Sequence, residues 1–161
     1  MNSEKILTIF NLNKHPYSRI IGATLSIVLG FSIIYLLGSI STLFMLSILI
    51  MIFTIFESSK FCKESVARCD EILLDSVLGG FLALVFALSN QEVLKSDITI
   101  ILATTTALVG YIAMDRYKPS TIGWLKRNIN GALGIVLSST LAGIAGGFIS
   151  ILMMKILEKF I

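Results

Sequence analysis

Five apolar runs separated by short polar segments leave this chain few ways to fold. They cover residues 20–37, 42–56, 72–88, 98–114 and 129–154. Crossing a bilayer core takes about 20 helical residues, with a range of about 17–25. Backbone groups in lipid must be satisfied within one helix or within a closed barrel. Barrel strands alternate polar and apolar residues, and these runs do not. The expected fold class is therefore all-α, a polytopic transmembrane helical bundle of about five spans. Composition agrees: 55% of the residues are hydrophobic and 14% charged, where soluble domains carry about a quarter charged. Mean hydropathy is +0.90.

The length of 161 residues suits one domain. Residues 1–19 read as a cytoplasmic or interfacial N-terminal segment and residues 20–161 as the membrane-embedded domain. Ile6, Ile9 and Phe10 share a helical face, which predicts an interfacial helix ending before Pro16. The first run has no small-residue cleavage pattern at its end and is read as a retained span. The second run is short and must borrow from its flanks, Ser39 to Ser41 and Glu57 to Ser59. Gly38-Ser39-Ile40-Ser41 closes a hairpin between the first two. A net charge of +3 without a basic patch excludes nucleic acid as a partner. Cys62 and Cys69 lack metal-site or disulfide-framework spacing and read as free thiols. His15, alone beside Lys14, reads as a surface residue.

Lys and Arg counts predict orientation. The N-terminal segment and the second and fourth connections hold ten basic residues, against three on the other side. The ten are expected to face the cytoplasm, with the N-terminus inside, as in a bacterial inner membrane.

In lipid, the informative residues are those that are costly to bury. A carboxylate at a helix centre costs about 2.5–3.5 kcal/mol on insertion scales. Asp75 is expected one turn into the third span, with Glu71 and Gly79 four residues away on the same face. Asp115 ends the fourth span on the same side and opens Asp115-Arg116-Tyr117-Lys118-Pro119, which leads to Trp124, Lys126 and Arg127. This pattern suits a charged pocket at the membrane surface, with carboxylates for a metal and Lys or Arg for an anion. Snorkelling to headgroups is the plainer reading of the same cations. In the fifth span, Ser139, Gly143 and Gly147 fall four residues apart and predict a face that another helix approaches closely. Ser138-Ser139-Thr140 places hydroxyls inside the membrane, where they are expected to bond the preceding turn or a neighbouring helix.

Residues 115–143, with Asp115, Lys118-Pro119, Arg127, Gly131, Gly134 and Gly143 in sequence, resemble the C-terminal signature of the phosphatidylglycerophosphatase A family. That signature reads D-x-x-K-P-x-P-I, D-R-x-x-x-G-G-x-G-I-M and D-D-x-x-A-G. The block Glu71-Ile-Leu-Leu-Asp75-Ser-Val-Leu-Gly79 resembles the family's E-I-V-x-D-E-x-x-G, and Ile21-Gly-Ala-Thr-Leu-Ser26 is more distantly similar to P-G-T-x-G-S. The resemblance implies a small membrane enzyme that uses Mg²⁺ to remove the terminal phosphate of phosphatidylglycerophosphate, an anionic phospholipid. It implies Glu71, Asp75 and Asp115 as metal ligands, with Asp75 and Asp115 catalytic, and Lys118 and Arg127 as phosphate contacts. The site would lie at the cytoplasmic surface, between the third, fourth and fifth spans.

Four acidic positions of the pattern are changed here. Ser76, Lys126, Ser138 and Ser139 stand where the family has acids. Mg²⁺ takes its binding charge from carboxylates, and hydroxyls are neutral substitutes. A second expectation follows, of a non-catalytic relative that binds lipid or a membrane partner. Composition alone would also suit a small channel or accessory subunit.

Overall fold

The computed structural model describes residues 17–64, 73–89, 96–129 and 131–160, the side chains of 61–64, 120 and 160 excepted. Among them are six helices and no strand: α1 Ser18–Leu37, α2 Ile40–Glu64, α3 Leu74–Leu88, α4 Asp97–Tyr117, α5 Ser120–Asn128 and α6 Ala132–Phe160. The expected N-terminal interfacial helix, His15, Glu71 and Cys69 lie outside the described residues.

Four helices are long and apolar enough to cross a membrane, namely α1, α2, α4 and α6. The second run does borrow from its flanks, since its helix starts at Ile40 and runs past Ser59. Gly38 ends α1 in the left-handed conformation (φ 68°), and its N–H donates to the Ile34 carbonyl at 2.8 Å. Ser39 Oγ then accepts from the Ser41 N–H at 3.2 Å, capping the start of α2. The hairpin is thus closed in two residues.

The third run behaves differently. Its helix starts at Leu74, which puts Asp75 in the first turn. Fifteen residues span only about 22 Å at 1.5 Å per residue. Thirteen of the fifteen are buried, so α3 is the core around which the longer helices stand. Those helices carry the lipid-facing surface, with Tyr35, Leu36, Met45, Leu49 and Phe56 exposed on α1 and α2.

The first turns of α1 and α3 and the last turn of α4 meet at one end of the bundle through Arg19, Asp75 and Asp115. α1 and α3 therefore run in one direction and α4 in the other. α6 packs most extensively on α4 and α3. Its small-residue face is what permits this. A Cβ on Gly143 would overlap the Gly79 backbone of α3, and one on Gly146 would come within 2.5 Å of the Tyr111 amide nitrogen of α4. Both are approaches only glycine allows. Ser138 Oγ donates to the Ile135 carbonyl and Thr140 Oγ1 to Val136. Ser150 Oγ reaches across to the Ala103 carbonyl of α4 at 2.7 Å.

Candidate headgroup site at the polar end of the bundle

Asp75 is the most deeply placed acid among the described residues, at 0% exposure. An uncompensated charge there would be costly, and the neighbouring helices supply donors. Ser139 Oγ of α6 donates to Asp75 Oδ2 at 2.7 Å, and Ser76 Oγ makes a long contact of 3.4 Å to Oδ1. The two hydroxyls stand at positions where the resemblance calls for acids. Here they act as donors to the acid that is kept.

Asp115, in the last turn of α4, is also buried. Its Oδ2 accepts from Arg19 Nη1 of α1 at 2.9 Å, while Oδ1 is buried with no hydrogen-bond partner among the described residues. Arg19 also interacts electrostatically with Asp75. One guanidinium thus serves two carboxylates from two other helices. α1 reaches this position because its buried face is small: Gly22, one turn beyond Arg19, lies against Ser76 and Leu73. Tyr111, one turn before Asp115, is buried, and its hydroxyl lies toward Ser76 without completing a hydrogen bond.

Above these residues opens a cavity of about 240 Å³ lined by Arg19, Ile20, Tyr111, Ile112, Asp115, Arg116, Lys118 and Lys126. Four cations and one carboxylate make it an anion site in character. Lys118 holds an unusual backbone conformation, left-handed at φ 44° and ψ 60°, where it ends α4 and donates its N–H to the Met114 carbonyl at 2.9 Å. Non-glycine residues adopt this region at a cost. Pro119 follows directly, and Gly123 lets α5 fold back onto the Lys118 carbonyl. The tight turn carries Lys118 and Lys126 to the same cavity. Burial, and then the neighbouring Lys126 ammonium, push the Lys118 amine down to about 8.

The structure brings together Asp75, Asp115 and Lys118. Arg127 does not line the cavity. Its Nε donates to the Gly123 carbonyl on its own helix at 3.1 Å. Lys126 takes the place next to Lys118, so a residue that stands for a lost acid contributes a cation. Arg19 and Tyr111 join the site from outside the expected set, and the first span joins the third, fourth and last. The signal for Arg19 was its spacing from Gly22, Ala23, Ser26 and Gly30, which puts it on the small, buried face of α1. Tyr111 sits in an apolar run with no such signal.

A divalent ion needs several oxygen ligands with free lone pairs. Among the described residues no group of three ligating side chains gathers. Both Asp75 oxygens and one Asp115 oxygen are already engaged by Ser139, Ser76 and Arg19. The described residues do not fit a Mg²⁺ site.

Residues 5–154 match one family model, phosphatidylglycerophosphatase A. No curated protein matches the chain, and no solved structure does.

Proposed function

Because the chain belongs to the phosphatidylglycerophosphatase A family, we propose that it binds the phosphate-bearing headgroup of an anionic phospholipid and does not hydrolyse it. Phosphatidylglycerophosphate is the ligand that membership points to. The single observation that carries this reading is the cavity's lining, four cations and one carboxylate, Asp115, of which one oxygen is committed to the Arg19 guanidinium. A phosphate monoester brings close to two negative charges at neutral pH. Lys118, Lys126 and Arg116 contact its oxygens, with Arg19 behind them, while the acyl chains leave between the exposed apolar helices. The site faces the cytoplasm, the side to which the basic connections assign it.

Hydrolysis with Mg²⁺ is the second reading, and one observation favours it. Asp115 Oδ1 is buried with no hydrogen-bond partner among the described residues, which leaves one carboxylate oxygen available to an ion or a water.

The test is calorimetric titration of the full chain in nanodiscs with short-chain phosphatidylglycerophosphate and, separately, phosphatidylglycerol. Saturable binding of the first, at least tenfold tighter than the second and lost in the Lys118→Ala, Lys126→Ala double variant, is expected. Equal affinity for both lipids would show that the terminal phosphate is not recognised.

A further inference from the structure

We propose that Arg19 is the resident cation of this site, standing in for a divalent metal, so that headgroup binding is independent of Mg²⁺. This rests on the headgroup reading above and adds to it how the anion's charge is balanced.

The argument begins with charge. Among the described residues two carboxylates, Asp75 and Asp115, are buried at one end of the bundle. They belong to different helices, α3 and α4, and like charges held close together repel. A nearby cation offsets that repulsion, and Arg19 of α1 supplies it, 2.9 Å from Asp115 Oδ2 and interacting electrostatically with Asp75. One guanidinium balances half of that charge, and two hydroxyl donors, Ser139 and Ser76, serve Asp75. Acids at both serine positions would add two more negative charges to the same volume. A single Arg19 would not hold four carboxylates, whereas it suits two.

The serines and the arginine are therefore one arrangement. Ser76 and Ser139 replace oxygen ligands with donors, and Arg19 replaces an ion with a tethered charge. The geometry also differs in consequence. A metal exchanges its waters for ligand oxygens, but a guanidinium offers a fixed planar fork of N–H donors. Arg19 Nη1 is spent on Asp115, and Arg19 is itself one of the residues that line the cavity that would receive the headgroup. Arg19 is about one-third exposed, so it reaches both the buried acids and the opening. The arrangement gives phosphate a cation that no chelator removes.

The experiment has two independent arms on the full chain in nanodiscs. In the first, short-chain phosphatidylglycerophosphate is titrated in EDTA and again in millimolar Mg²⁺. Dissociation constants within about twofold of each other are expected, and binding seen only with Mg²⁺ would overturn the inference. In the second arm, bound Mn²⁺ is counted by electron paramagnetic resonance without lipid. The natural chain is expected to hold no Mn²⁺ at stoichiometric level, whereas Arg19→Gln, which frees Asp115 and leaves both acids uncompensated, gains a site. Stoichiometric Mn²⁺ on the natural chain, displaced by Mg²⁺ and lost in Asp75→Asn, would refute the proposal. Arg19→Lys guards against misfolding of the Gln variant. It keeps the charge and is expected to stay free of Mn²⁺ while losing at least fivefold in lipid affinity through the lost fork. If the lipid binds under neither condition, the headgroup reading fails, and the Mn²⁺ count alone still decides the role of Arg19.

Discussion

Replacing Ser139 by Asp restores an acid of the family pattern and is expected to destabilise the protein severely. Ser139 Oγ donates to Asp75 Oδ2 at 2.7 Å, and both residues are fully buried. Removing the donor alone, as in Ser139→Ala, costs a hydrogen bond to a charged group, about 1.5–3 kcal/mol. Aspartate removes the same bond and sets a like charge beside Asp75, which adds about 4 kcal/mol for unit charges 4 Å apart at an effective dielectric constant of 20. The sum is on the order of 6 kcal/mol, comparable with the whole stability of many domains. A chain of this size loses roughly 2–4 °C of melting temperature per kcal/mol. In detergent, followed by circular dichroism, Ser139→Ala should melt about 3–12 °C below the parent and Ser139→Asp about 12–24 °C below it. Millimolar Mg²⁺ should recover part of the loss in Ser139→Asp and leave the parent unchanged, because only the variant offers an added oxygen ligand. If Ser139→Asp melts with the parent in EDTA, the hydroxyl is not what holds Asp75, and the charge argument fails.

Three further outcomes are expected. Gly143→Ala pushes a methyl group into the Gly79 backbone and should cost more than about 2 kcal/mol, whereas Leu141→Ala at a more exposed position on the same helix should cost less than about 1 kcal/mol; equal melting of the two would show that α6 does not meet α3 there. Lys118 carries its charge below about pH 8 and loses it above, so headgroup affinity should fall as pH rises through 8, and Lys118→Arg should flatten that profile; an unchanged slope in Lys118→Arg would remove Lys118 from the contact. Because a lowered lysine value means that the unfolded chain binds more protons, stability should also rise between about pH 8 and 10.5. Cys62 and Cys69 should be labelled by an impermeant thiol reagent from the cytoplasmic face alone; labelling from outside intact cells would reverse the orientation.

The helices were legible because lipid leaves the backbone one economical solution, and runs of apolar residues mark where it applies. The Ser139–Gly143–Gly147 face was legible too, since spacing by four is a property of the helix itself. In the structure it meets Asp75, Gly79 and Phe86 in succession. Which residues share the site was only half legible. Asp75, Asp115 and Lys118 sit at the ends of runs on one side, and counting spans brings them together. Arg19 was counted for orientation alone. It pairs with a residue 96 positions away, and periodicity within one helix says nothing about such a partner. Lys126 and Arg127 are adjacent on α5, so helical geometry points them apart, and only the packing of α5 against the Lys118 turn decides that Lys126 enters the cavity. The short length of α3 escaped the sequence because a buried core helix and a spanning helix have the same apolar composition.

Release of inorganic phosphate from phosphatidylglycerophosphate, with bound lipid counted in the same nanodisc sample, tests most directly whether this chain holds the headgroup without cutting it. The natural protein and Asp75→Ala are compared across a range of Mg²⁺ concentrations. The account predicts saturable lipid binding by the natural protein and no release above that of Asp75→Ala at any Mg²⁺ concentration. Robust Mg²⁺-dependent release that vanishes in Asp75→Ala would contradict it and make the protein a phosphatase with a reduced ligand set.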